Sequence, residues 1–306
     1  MAEQTQTIHR DTTSNHFTTE LESVARIESG DTVVFETHDP RYGALLDRPT
    51  AEPFELPKPD RTRGNPVTGP VYVEGAKPGD ALLVEILSID FEPVGWCGAH
   101  AHQSPVPLGR VPVAFGRTCK VTPEGIEYSK DLTIPLKPMI GCIGTGPLDP
   151  VSTQLAGKHG GNMDQPVVTV GAKVLLPVYV EGALLFVGDV HASQGDGELS
   201  GLGLETPAIV QVKVTLLPEL APEWPWVRHG EFVYILTAGE TFEESAALSI
   251  DGGMKLFEEQ KDFIAGDALA LISLTCNIRV GASWGGPQLT TRLEIPEYLG
   301  VAPAGL

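Results

Sequence analysis

The sequence predicts a mainly β protein, β-sandwich-like, with an α/β C-terminal part. Three observations carry that prediction. Gly (34) and Pro (26) interrupt the 306 residues too often for long helices. Short aliphatic and β-branched runs recur between Gly-Asp and Pro-Gly turns. After Pro218 the pattern changes to capped, Ala-rich helical sequence.

Taken in order, residues 1–30 are a polar lead-in, and Gly30-Asp31 opens a strand at Thr32 to Glu36. Residues 37–70 lack periodicity and read as loop or turns. Strands follow at Val71–Val73 and Ala81–Ile89, and residues 93–118 read as loop again. Further strands are expected at 118–122, 166–170, 172–180, 183–188 and 208–216. The hexapeptide Val71-Tyr72-Val73-Glu74-Gly75-Ala76 returns as Val178-Tyr179-Val180-Glu181-Gly182-Ala183. A strand ending in a Gly turn and re-entering a strand is a hairpin unit, so a duplicated β unit is one reading and coincidence the other. Thr241 with Glu244 forms a capping box for a first helix, and Asp251–Phe263 reads as a second. Ala265–Cys276 is apolar almost all round, as in a buried helix. Ile278–Ile295 reads as two strands broken by Gly285-Gly286-Pro287. The division expected is a β domain over 1–220 carrying the functional loops, with a mixed α/β part over 221–306 packed on it.

Composition excludes partners. Forty Asp and Glu against 21 Lys and Arg give a net charge of −19. Nucleic acid and anionic membrane faces both require a basic surface. No run approaches the ~18 apolar residues of a membrane span. Cys97, Cys119, Cys142 and Cys276 form no C-x-x-C pair and are too sparse for a disulfide framework. The polar N-terminus lacks an apolar secretory core. These features point to a cytoplasmic protein.

The chemistry concentrates at 188–198, GDVHASQGDGE, directly after an apolar strand. Asp189 and His191 are two apart, so a continuing strand would aim both at one cation. Gly195 and Gly197 let the backbone fold back, bringing Asp196 or Glu198 to the same point. His with carboxylates is the ligand set of a catalytic zinc site, and a spare carboxylate beside it can serve as general base. A solvated acidic turn is the plain alternative. In KHGGNMD (158–164), Gly161 allows close backbone approach to a ligand, while Asn162 and Asp164 supply an amide and a carboxylate. Such a segment is also ordinary turn chemistry. His38-Asp39 ends the first strand as a candidate ligand pair or a turn cap. His100 and His102 have the spacing of a strand-borne pair but sit in a Gly/Pro-rich loop. Asn65–Pro70 is a turn that could line a pocket. No G-x-S-x-G elbow, phosphate loop or dinucleotide fingerprint appears. Cys142, in MIGCIG, reads as a buried inert thiol.

These residues resemble the acetamidase/formamidase family. The matching stretches are GNPVTGPVYVEGAKPGD (64–80), PMIGCIGTGP (138–147), HGGNMD (159–164), LLPVYVEGALLFVGDVHASQGDGELSG (175–201) and, more loosely, SLTCNIRV (273–280). The resemblance implies a mainly β fold with an α/β C-terminal part. It also implies hydrolysis of short aliphatic amides to acid and ammonia, dependence on a divalent metal, usually zinc, and homo-oligomeric assembly. The chain departs from the family at Asn277, at Gly281-Ala282 and over His100–Pro107, which touches substrate choice. On this reading Asp189 and His191 bind the metal, with Asp164 or His38-Asp39 completing the shell. Glu198 is the general base, with Asp196 as the alternative base or orienter, and Asn162 and Gln194 hydrogen-bond the amide. Two other readings fit the same residues. One is a metal hydrolase of a larger linear or cyclic amide. The other is a non-catalytic β protein binding calcium, against which His191 argues, because oxygen-only ligands select calcium.

Overall fold

The computed structural model describes residues 4–58, 60, 63–100, 110–282 and 288–306. Two large sheets form the body. In the nine-stranded sheet the order runs Thr5–Ile8, Thr32–Glu36, Ala208–Leu217, Ala81–Phe91, Lys173–Pro177, Trp226–His229, Phe232–Gly239, Leu289–Pro296 and Asn277–Val280. This sheet takes strands from both sides of residue 220. In the second sheet Gly160–Asn162, Met139–Gly144, Leu185–His191 and Val67–Val73 are successive neighbours. One apolar core joins the sheets, with Val84, Val174, Val210 and Val212 from the first packed with Val71, Ile140, Ile143 and Val187 from the second. A smaller sheet includes the antiparallel pair Val94–Ala99 and Phe115–Thr122. The mainly β prediction therefore holds, and the strand-by-strand alternation is visible at Val210, Val212 and Val214, all fully buried, with Gln211 and Lys213 turned outward.

The repeated hexapeptide is a turn built twice, and it is a crossover rather than a hairpin. The first copy, whose first three residues end the Val67–Val73 strand, carries the chain from the second sheet toward Ala81–Phe91 in the first. After Lys173–Pro177 the second copy carries it back to Leu185–His191. Gly75 and Gly182 adopt the same left-handed backbone, φ 77° and 76°. A Cβ on Gly182 would lie 2.1 Å from the Tyr72 ring, so the second turn packs on the first. The Gly182 N–H donates to the Ala76 carbonyl at 2.9 Å.

Several elements differ from expectation. Residues 94–99 are a strand, because Gly95, Gly98 and Gly116 serve close packing there rather than turning. A Cβ on Gly98 would meet the Phe115 carbonyl at 2.5 Å. Residues 166–170 are turns, with Val168 donating its N–H to the Gln165 carbonyl. The two helical stretches after Thr241 form one helix, α1, Phe242–Lys261. Its mid-helix glycines let it lie against the sheet, since a Cβ on Gly253 would be 2.5 Å from Leu293. Helix α2, Ala265–Thr275, buries only Ala268 and Ile272, and Leu274 is 82% exposed. It lies on the outside of the molecule, against the expectation of a buried helix. The tail gives the two expected strands, Asn277–Val280 and Leu289–Pro296, antiparallel to each other. No helix among the described residues is long and apolar enough to cross a membrane.

Candidate metal centre

The site forms where adjacent strand ends of the second sheet converge. Gly160–Asn162 and Leu185–His191 flank Met139–Gly144 on either side. Asp164 lies two residues past the first of these strands, and Asp189 and His191 end the second. Gly141, between them, keeps the space open. A Cβ there would sit 2.6 Å from Asp164 Oδ1 and 2.9 Å from Asp189 Oδ2. Asp164, Asp189 and His191 each offer a ligand atom within 4.8 Å of the others. His191, Glu198 and Glu205 form an overlapping group on the same criterion. Asp164, Asp189 and Glu198 are all non-glycine residues at positive φ, 46°, 54° and 40°. Backbone held in that region marks a place where the surroundings impose conformation for a purpose other than stability.

The orientation of His191 follows from its neighbours. Gln194 Nε2 donates to the Asp164 carbonyl at 2.9 Å, so Gln194 Oε1 faces His191 Nδ1 at 2.6 Å. Nδ1 therefore carries a proton, and Nε2 points into the cluster. There Nε2 lies 3.0 Å from Glu205 Oε2 and 3.5 Å from Asp189 Oδ1. Asp164 Oδ1 is buried with no partner, and Asp189 Oδ1 and Glu205 Oε2 are buried with none but the His191 imidazole. Three buried carboxylate oxygens that share one imidazole nitrogen are the donors a divalent cation requires, and a buried carboxylate so sparsely partnered is otherwise costly. The residues present thus fit a metal. Burial, then the Asp189 charge, raises the Asp164 carboxyl above the usual carboxylate range. Burial, then Asp164, raises Glu198 likewise. The Glu198 residue is partly exposed, but its carboxyl lies with buried His191 and Glu205. For His191 burial alone would lower the pKa, and the opposing charges of Glu205 and Asp189 raise it well above the ordinary value.

The other residues singled out in the sequence are placed as follows. Asn162 lines the cavity, its Oδ1 accepting from Asn65 Nδ2 at 3.1 Å and from Cys142 Sγ at 3.0 Å. Asn65 also donates to Asp189 Oδ2 at 2.6 Å. Cys142 is fully buried, with its thiol held protonated by burial and by Asp189. Gln194 spends both ends of its amide on Asp164 and His191, so it orients the imidazole in place of contacting an amide substrate. Asp196 does not join the cluster, because both carboxylate oxygens accept from Arg292 at 2.8 and 3.0 Å. Gly161 packs tightly against the Leu155 carbonyl in place of lining the cavity. Asp39 is a turn cap and does not join the cluster, accepting from Arg41 N, Gly43 N and Trp96 Nε1. His38 packs on Tyr42 and is not one of the clustered ligands. His100 lines the cavity, and His102 lies outside the described residues.

Glu205 was not legible in the sequence as a site residue. It is bridged by backbone pairing to both His191 and Trp96 and is 1% exposed. The signal available was an isolated acid in an apolar stretch, GLGLET, seven residues past Glu198.

The Acetamidase/Formamidase family matches residues 2–156 and 149–229, most of the chain. The chain belongs to the acetamidase/formamidase family. Its fold is similar to the acetamidase of Bacillus halodurans, with a TM-score of 0.88 and 30% identity over 96% of this chain and 98% of that one. It is similar also to the acetamidase of Yersinia enterocolitica, TM-score 0.88 and 26% identity over 98% and 94%. The formamidase of Methylophilus methylotrophus is 27% identical over 67% of this chain and 64% of its own. The chain thus spans less than two thirds of the length of the curated relatives it matches. In this member of the acetamidase/formamidase family the cluster opens into a cavity of about 580 Å³, whose lining includes Arg41, Tyr42 and Trp96.

Proposed function

We propose that this chain is a divalent-cation-dependent amidohydrolase that cleaves short aliphatic amides, of the formamide or acetamide type, to carboxylic acid and ammonia. The observation that carries the proposal is the set of buried carboxylate oxygens, Asp164 Oδ1, Asp189 Oδ1 and Glu205 Oε2, with no other donor than His191 Nε2 among them. The activities named for the family relatives support the reaction class. Asp164, Asp189 and His191 would hold the cation, with Glu205 as a further ligand, and the imidazole donor favours zinc over calcium. A bound zinc ion supplies two things at such a site, a water acidified to a pKa of about 7 and a polarised carbonyl.

The chain's own residues do the rest. Gln194 fixes the His191 tautomer and ring angle. Asn65 holds Asp189 by its second oxygen. Asn162, with Oδ1 already engaged, offers its NH₂ group to an amide carbonyl. Glu198 accepts the proton of the attacking water and returns it to the departing amine. A carboxyl whose pKa burial raises above the usual carboxylate range suits a group that must both take and give a proton. Homo-oligomeric assembly is part of the same reading, and the four free cysteines support a reducing, cytoplasmic setting.

Ammonia release from formamide, acetamide and longer amides, before and after chelation, tests the proposal. Turnover of the short amides that is lost on chelation and restored by zinc is expected. Turnover untouched by chelation, with no metal found by elemental analysis, would rule it out. The cavity favours one second reading. At about 580 Å³ it falls within the range of pockets for drug-sized ligands, which suits a larger linear or cyclic amide. Turnover of longer amides without turnover of formamide or acetamide would select it.

A further inference from the structure

Arg292 lies in the Leu289–Pro296 strand, is 4% exposed and stands outside the cation cluster. Its guanidinium reaches two loops at once. Nη1 and Nη2 donate to Asp196 Oδ1 and Oδ2 at 2.8 and 3.0 Å. Nη1 also donates to Gln165 Oε1 at 3.0 Å, and Nε donates to Glu294 Oε1 at 3.2 Å. Asp196 stands two residues before Glu198, and Gln165 directly follows Asp164.

The same C-terminal strands tether each loop a second time. Thr290 Oγ1 donates to the Met163 carbonyl at 2.8 Å. The Gly197 N–H donates to the Val280 and Gly281 carbonyls at 2.8 and 2.9 Å. Gly281 fits there because a Cβ would lie 2.2 Å from Gln165 Nε2.

The two loops need holding. Each carries a buried carboxylate toward the same point, and like charges at low dielectric repel. Asp164 and Glu198 also sit at positive φ, a conformation that only the surroundings can maintain. A bidentate Arg–carboxylate pair fixes direction as well as distance, which a single point charge does not.

We propose that Arg292 is a positioning residue that clasps the 163–165 and 194–198 loops together and so sets the Glu198 carboxyl against Asp164 and His191. The proposal rests on the amidohydrolase reading above, since it gives Glu198 a place to be set. It assigns Asp196 the role of anchor for the loop that carries Glu198.

The test compares R292Q, D196N, the double variant and R292K with the wild-type protein. R228Q serves as the control, because Arg228 pairs with Glu297 elsewhere in the same sheet. R292Q is expected to lower kcat by about 10²-fold, the cost of roughly 1 Å of misplacement, with KM and bound metal within ~3-fold of wild type. D196N should match it, and the double variant should be no slower than either single one, as for two halves of one device. R292K, which keeps charge but not the fork, should recover only part of the rate. R228Q should lower Tm and leave kcat unchanged. Equal kcat in R292Q and wild type would overturn the proposal, as would a loss of rate matched by R228Q at equal loss of Tm. If wild type cleaves no amide, the amidohydrolase reading fails on its own. A crystal structure of R292Q then decides the clasp, and a Glu198 carboxyl still in its wild-type place overturns it.

Discussion

A Cβ at Gly141 would press on Asp164 Oδ1 from 2.6 Å and on the Asp189 carbonyl from 2.8 Å. Neither can withdraw, since one is a buried side chain and the other is strand backbone. Gly141→Ala is therefore expected to lower cation affinity at least ~10-fold, an effect of the size seen on disturbing groups around a metal's ligands. Isothermal titration with zinc measures it, and unchanged affinity would mean that the space at Gly141 is not part of the site. Glu205→Gln keeps shape and removes the charge that faces His191. A similar loss of affinity is expected, with the folded state retained because the Gly203 N–H still finds an oxygen at that position. At this scale Asp189, His191 and Glu198 were legible because they crowd one Gly-rich segment after an apolar strand. Glu205 and Gly141 were not. Their roles come from pairing between segments far apart in the chain, and neither a lone acid among leucines nor a glycine in MIGCIG carries that information locally. Asp196 misled for the opposite reason: it shares the crowded segment, but its carboxylate is captured by Arg292, nearly a hundred residues away.

Helix α1 is the element that sequence described best at its start and least well at its middle. Glu244 N donates to Thr241 Oγ1 at 3.1 Å, as a capping box requires. The reciprocal bond differs by one residue, for Glu244 Oε2 accepts from Glu240 N at 2.8 Å. Thr241→Ala removes the first of these bonds and is expected to cost about 1 kcal/mol in urea unfolding. A cost near zero would show that water or Glu244 replaces the hydroxyl. Gly252-Gly253 suggested a break because glycine disfavours helix interiors, by about 1 kcal/mol relative to Ala. The helix continues through them because the sheet comes too close for a side chain, at Ile235 and at Leu293. The strands show the same rule. Ala208–Leu217 announces itself by alternation, whereas Met139–Gly144, buried between two strands, and Val94–Ala99, paired with Phe115–Thr122, are glycine-rich strands where close approach replaces alternation as the selective constraint.

Across the whole molecule the −19 charge is mostly carried on the surface, and a few acids are not. His159 gives the molecule one acid-sensitive point that is separate from them. Burial pushes its pKa down to about 4, against an ordinary 6.5. The unfolded chain therefore binds a proton that the folded one refuses. His159 costs nothing above pH ~6.5, and destabilises progressively as pH falls toward 4, by up to about 3 kcal/mol. His159→Gln should flatten that part of the pH–stability curve, and an unchanged slope would show that the imidazole is solvated after all. The cluster behaves differently. Asp164, Asp189, Glu198 and Glu205 converge on one imidazole inside the fold, and in the unfolded chain they separate into water. A cation that binds this arrangement binds the folded state alone, so it must raise stability by mass action, by about 2.7 kcal/mol at a hundredfold excess over its Kd. Chelated protein should consequently melt at lower temperature than the zinc-loaded form, and added zinc should restore the difference. His191→Ala, which deletes the nitrogen donor, should melt at one temperature with or without zinc. If wild type also melts at one temperature, the buried acids are neutralised by protons in the folded state, and the cluster is not a cation site.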